Sequence, residues 1–222
     1  MKRFFITGTD TECGKTYVLC QLLDFLHKAN KTAAGLKPVA SGCYFKNGTL
    51  HSDDAEKIKE INPMLAADIC QWKFLPPIAP HIAAQIAQQS LSAASITHFC
   101  TRSEFSDFDY VLIEGAGGLM APLNATETWI DFIRKADLEV ILVVGMRLGC
   151  LNHALLTATV LNHYQIPCLG WIVNCIDPNM LALLENIQTL MEKMTIPYLA
   201  TVSYQGALDR IPQIEAQLEW LK

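Results

Sequence analysis

The chain has 222 residues, 51% hydrophobic and 18% charged, which is enough apolar material for a sizeable core and too much for general disorder. Seventeen Lys and Arg stand against 22 Asp and Glu, a formal charge of −5. That balance supplies no basic face for sequence-independent nucleic-acid binding, and no polybasic cluster for a lipid surface, so neither partner is expected.

In chain order, Arg3–Thr7 is a short apolar run that predicts a strand, and Lys15–Asn30 has helical spacing with Val18, Leu22, Leu23 and Leu26 on one stripe. Thr32–Leu36 predicts a second strand, and Asp53–Ile61 a short helix opened by Ser52 and Asp53. Trp72–Pro80 holds three prolines and is expected as an irregular loop. His81–Gln89 and Ser92–Arg102 predict helices. Tyr110–Ile113, Val140–Val144 and Leu169–Val173 are aliphatic or β-branched runs that suit strands buried on both faces. Cys150–His163 and Met180–Met194 are helical in pattern, Tyr198–Val202 predicts a last strand, and Ile211–Leu221 a last helix.

Strands separated by helices imply βαβ units and right-handed crossovers. The expected fold is α/β: one domain over residues 1–222, a mostly parallel sheet with helices on both faces. Ligands of such sheets sit beyond the carboxyl ends of the strands.

Met1-Lys2-Arg3 runs at once into Phe4-Phe5-Ile6, too short for a signal peptide. Leu148 to Ile176 lacks Asp, Glu, Lys and Arg, but its Asn152, His153, Asn162, His163, Gln165 and Pro167 argue against a membrane span. The eight cysteines form no C-x-x-C pair, so they are expected as small apolar residues in a reducing cytoplasm.

Gly8-Thr9-Asp10-Thr11-Glu12-Cys13-Gly14-Lys15-Thr16 follows the first strand and opens the first helix. Glycines let backbone approach a phosphate, and N–H groups at the helix start point at the anion. Lys15 reaches the outer phosphates, and the Thr16 hydroxyl suits a Mg²⁺ ligand. Five residues separate the two glycines, where the common phosphate loop has four. Cys13 is expected to pack rather than react.

Glu114 ends a hydrophobic strand and leads into Gly115-Ala116-Gly117-Gly118, a place that fits a metal-holding acid. Asp53-Asp54 offers a second acid, and the residues alone leave open which of the two turns inward, or whether they only open a helix. Lys37, in Gly35-Leu36-Lys37-Pro38-Val39-Ala40-Ser41-Gly42, follows the second strand and offers another cation. Val144 to His153 follows a further strand and opens a helix whose N–H groups suit a carboxylate. His51, His81 and His153 have no metal-like spacing.

Together these segments resemble the dethiobiotin synthetases, carried by Gly8–Thr16, Lys37–Gly42, Glu114–Gly118 and Leu148–His153 in that order over most of the chain. The resemblance implies a phosphate-loop NTPase fold. It also implies ATP-dependent carboxylation of 7,8-diaminononanoate with CO₂ or bicarbonate, yielding dethiobiotin, ADP and phosphate through a carbamate and a carbamic–phosphoric anhydride. Lys15 and Lys37 would be the catalytic cations, and Thr16, Asp54 and Glu114 would hold Mg²⁺. ATP would lie against Glu12, Cys13, Gly14, Lys15, Thr16, Tyr17, Asp54, Glu114, Gly115, Ala116 and Gly117, with Asn174 and Cys175 at the adenine. Thr11, Ser41 and Gly118 would adjoin the diamine. Gly149, Cys150, Leu151 and Asn152 would hold its distant carboxylate from the other subunit of a homodimer.

Two other readings compete. An amide-forming ligase acting on a cobyrinic-acid-type carboxylate needs an ammonia source for which this chain has no room. A nucleotide switch of the septum-placement kind carries a lysine early in its loop, and Thr9 to Cys13 contain none.

Overall fold

The computed structural model describes residues 1–62 and 65–208. The predicted helix Ile211–Leu221 therefore lies outside the described residues.

Six parallel strands form the central sheet: β1 (Lys2–Gly8), β2 (Ala33–Leu36), β7 (Tyr110–Glu114), β8 (Glu139–Gly145), β9 (Cys168–Asn174) and β10 (Tyr198–Val202), in the order β10-β9-β8-β1-β7-β2. Their apolar runs are almost wholly buried, with only the first residues of β9 and β10 partly exposed, as strands covered on both faces require. Two small sheets stand beside it. β3 (Val39–Ser41) pairs in parallel with β6 (Trp72–Phe74), and β4 (Tyr44–Lys46) with β5 (Thr49–His51) as a hairpin.

The helices are α1 (Lys15–Lys28), α2 (Asp53–Ile61), α3 (Pro80–Ile86), α4 (Ala93–Cys100), α5 (Trp129–Lys135), α6 (Cys150–His163) and α7 (Leu183–Lys193). The chain leaves β1 toward β2 but leaves β8 toward β9, in the opposite direction along the sheet. Right-handed crossovers then put α1 and its neighbour α2 on one face and α6 with α7 on the other. The switch point lies between β1 and β8, where open α/β sheets bind ligands.

The expected loop Trp72–Pro80 is corrected at both ends. Trp72–Phe74 is a strand because β3 offers it a partner, and Pro80 is the first residue of α3, where its fixed φ and missing N–H are tolerated. The helix expected over His81–Gln89 stops at Ile86, and Gln88 turns left-handed at φ 53°. Helix α5 and the hairpin were not anticipated.

Phe5, Trp129 and Phe132 form an aromatic cluster with centroids 5.2 to 5.7 Å apart, which seats α5 under β1. Burial pushes the thiols of Cys20, Cys70 and Cys168 up to about 12, as expected of packing residues. No described helix is long and apolar enough to cross a membrane.

Candidate active site

The turn after β1 is held open by its neighbours. Gly14 caps α1 at φ 83°, a left-handed backbone that favours glycine, and a Cβ there would lie 2.0 Å from the Asn174 amide nitrogen. That amide donates to the Cys13 carbonyl at 2.9 Å. Gly145, at the end of β8, lies flush on Cys13, where a Cβ would come within 2.8 Å of its Cα. Cys13 is thus clamped by β8 and β9 and packs, as expected. Among the described residues no side chain caps α1. The first N–H groups of a helix have no intrahelical partner, so this N-terminus is able to accept an anion.

Lys15 is buried, and its ammonium donates to the Asp10 carbonyl at 2.9 Å. Thr16 donates to Glu114 Oε1 at 2.8 Å. Glu114 ends β7, next to β1, and is 1% exposed. Lys37, just beyond β2, is 4% exposed, with Nζ 2.5 Å from Glu114 Oε1 and 3.1 Å from Asp54 Oδ2. Asp54, on the first turn of α2, is the acid that turns inward; Asp53 is exposed. Burial pulls the Lys37 ammonium downward, but Glu114 and Asp54 outweigh it and hold its pKa above the ordinary lysine value. Burial likewise pushes the Asp54 carboxyl up, and the Lys37 charge outweighs that and holds it low. Both groups are therefore charged near neutrality.

Oxygen donors suit Mg²⁺, and Thr16, Asp54 and Glu114 supply a hydroxyl and two carboxylates at one place. Glu114 Oε2 is buried without a partner among the described residues, which leaves one carboxylate oxygen unused. These residues fit the metal. Among the described residues no group of three His, Cys, Asp or Glu side chains gathers as a metal cluster, so the donor set is hydroxyl plus carboxylate.

Gly115 lies on the Phe5 ring, where a Cβ would sit 2.5 Å from Cζ, and Trp129 donates its indole N–H to the Ala116 carbonyl at 2.8 Å. The glycine turn after β7 is thereby fixed beside the phosphate loop. Gly117, at φ 73°, neighbours Thr11, and Gly118 approaches the Gly8 and Thr9 carbonyls. Ser41 ends β3 with its hydroxyl oxygen buried and without a partner among the described residues. Tyr17 is exposed and turns outward, donating to the Gly206 carbonyl at 2.7 Å, beside the segment that follows β10. Glu12 is exposed at φ 58°. Asn174 ends β9, and Cys175 continues to pair with β10 by donating to the Val202 carbonyl.

Gly149, at φ 94°, opens α6 without a side-chain cap, followed by Cys150, which is buried, and by Leu151 and Asn152. This segment follows β8, on the opposite side of β1 from Lys37 and Glu114. Sequence reasoning missed the link between the two sides: Arg147 donates to Asp10 Oδ2 at 2.5 Å, across 137 residues and with no local signal. It also missed the Asn174 brace on Cys13.

Residues 2–212 match a family model described as AAA domain. A protein of Legionella pneumophila (strain Corby), named ATP-dependent dethiobiotin synthetase BioD, is 44% identical over 211 residues, covering 95% of this chain and 98% of its own. One of the same name from Pseudoalteromonas translucida is 41% identical over 221 residues, covering 99% of this chain and 97% of its own. Among solved structures, the septum site-determining protein MinD of Pyrococcus horikoshii, complexed with Mg-ADP, superposes with a TM-score of 0.56 at 16% identity, over 98% of this chain and 85% of that one. At that identity the likeness shows the fold alone, a mostly parallel α/β sheet flanked by helices. With more than 40% identity over nearly the full length of both chains, this chain belongs to the ATP-dependent dethiobiotin synthetase family.

Proposed function

We propose that this site performs the family's reaction with the residues it gathers. The chain is a ligase that uses ATP to convert 7,8-diaminononanoate and CO₂ into dethiobiotin, ADP and phosphate. The observation that carries the site assignment is the uncapped N-terminus of α1 beside a buried Lys37–Glu114–Asp54–Thr16 cluster.

One amine of the substrate adds to CO₂ and loses a proton, giving a carbamate. A carbamate oxygen attacks the γ-phosphorus, and ADP leaves. The second amine then attacks the carbamoyl carbon, closes the urea ring and expels phosphate. An anion attacks an anion in the second step, so fixed cations must offset the repulsion. Lys15 and the α1 N–H groups face the phosphates, and Lys37 faces the attacking oxygen. Mg²⁺, held by Thr16, Asp54 and Glu114, would neutralise phosphate charge. The protein itself positions and stabilises, with no covalent step of its own.

Glu12 to Tyr17 and Gly115 to Gly117 line the nucleotide, with Asn174 and Cys175 toward the base. Thr11, Ser41 and Gly118 adjoin the diamine; the unpartnered Ser41 hydroxyl supports that role. Gly149 to Asn152 take the distant carboxylate of a substrate bound to the partner in a homodimer. The uncapped start of α6, with Leu148 exposed just before it and Leu156 exposed on it, supports both the anion seat and the interface. The whole chain from 1 to 222 acts as one catalytic domain. The free thiols fit a cytoplasmic enzyme.

The test is mass spectrometry of products from ¹³C-bicarbonate, ATP and the diamine. Dethiobiotin carrying one ¹³C, formed in step with ADP, is expected. ATP turnover that ignores the diamine would overturn the assignment and favour a nucleotide switch.

A further inference from the structure

Asp10 puts a carboxylate inside the loop proposed to seat the triphosphate, and the role inferred for Arg147 rests on that reading of the loop. The Asp10 carbonyl already accepts the Lys15 ammonium at 2.9 Å. Its carboxylate accepts the Thr11 N–H through Oδ1 at 2.7 Å and Arg147 Nη2 through Oδ2 at 2.5 Å. Arg147 comes from the turn after β8, which Gly145 packs against Cys13. A guanidinium is charged at every working pH and keeps a planar set of donors, so it holds a carboxylate durably.

Without Arg147, the Asp10 carboxylate would stand unpaired in the same loop as the ammonium that the phosphates need. It would draw Lys15 toward itself and repel the polyphosphate. We infer that Arg147 is a positioning residue: it occupies the Asp10 carboxylate and so leaves Lys15 available to the outer phosphates. This role differs from that of a structural brace in one respect. If Arg147 acts by neutralising Asp10, removing both charges restores what removing Arg147 alone destroys. If the pair is a brace, removing both leaves the damage in place.

The experiment is calorimetric binding of Mg²⁺ with a non-hydrolysable ATP analogue at low salt, with the melting temperature of every variant measured alongside. Arg147→Gln is expected to bind about tenfold more weakly, and Asp10→Asn/Arg147→Gln to return within about twofold of the parent. Arg147→Lys keeps the charge and binds nearly as the parent does. The two side chains are 36% and 44% exposed, so salt screens the pair and the Arg147→Gln defect shrinks as salt rises. The KM for the diamine stays unchanged.

A double variant as weak as Arg147→Gln overturns the inference, and so does Arg147→Gln binding like the parent. Asp10→Asn alone keeps the oxygen that accepts from Thr11, so it tests the idea even if Arg147→Gln does not fold; weakened nucleotide binding there also overturns it. Lys15→Ala separates the two levels. Lost affinity in Lys15→Ala beside an unaffected Arg147→Gln defeats this inference alone, whereas an unaffected Lys15→Ala defeats the phosphate-loop assignment itself.

Discussion

Helices α2 and α4 differ from α1 and α6 in how they begin. Ser52 and Ser92 accept from the backbone N–H three residues on, and α4 adds a reciprocal Ser92–Ser95 box. Each of those helices satisfies one of its first N–H groups with its own side chain. Helices α1 and α6 open on left-handed glycines, Gly14 and Gly149, with no side-chain cap. They are the two helices that follow β1 and β8, the strands flanking the switch point. Helices α3 and α7 also open without a side-chain cap, on Ala79 and Ala182, so what sets α1 and α6 apart is a left-handed glycine placed directly after a switch-point strand, where bare N–H groups can meet an anion.

Making the bare ends resemble the closed ones should be most damaging at Gly14. Gly14→Ala forces a Cβ onto the Asn174 amide at a φ that L-residues resist, and nucleotide affinity should fall on the order of a hundredfold by calorimetry. Lys37→Met leaves the seat intact but removes the cation proposed to face the attacking oxygen. Its kcat should drop by about 10² to 10³ while nucleotide affinity holds within a few-fold, read by steady-state kinetics beside calorimetry.

Protonation probes the same cluster. Asp54 titrates below its ordinary value, so it stabilises the fold above the unfolded carboxyl range near 4 and loses that contribution as pH falls through the folded value. Lys37 titrates above its ordinary value, so its contribution is present below about 10.5 and is lost as pH rises through the folded value. Melting curves of Asp54→Asn should therefore show a shallower acid decline than the parent. A parallel decline would mean that the Lys37 pair does not set that limb. The smallest effect belongs to a closed end: Ser92→Ala should cost about 1 kcal/mol of stability in denaturant titrations and leave nucleotide affinity unchanged.

Much of this arrangement is legible in the chain. Asp53–Ile61, Cys150–His163 and Tyr198–Val202 have the predicted bounds, because periodicity and local capping set them. What escaped depends on partners far away. Trp72–Phe74 becomes a strand only because Val39–Ser41 lies beside it, and its prolines disguise that pairing. Helix α5 did leave a signal, since Thr128 and Asp131 form a capping box, but Asp stands where Glu or Gln is the familiar sign. At the site, glycines and lysines announce themselves by position. Asp10 with Arg147, and Asn174 with Cys13, meet only when β1, β8 and β9 come together.

In the proposed reaction a carbamate oxygen, rather than water, attacks the seated triphosphate. Running the reaction with ¹⁸O-labelled CO₂ faster than the label exchanges with solvent, and weighing the released phosphate, tests this directly. One ¹⁸O per phosphate, formed in step with dethiobiotin, is the expected result, and unlabelled phosphate would contradict it.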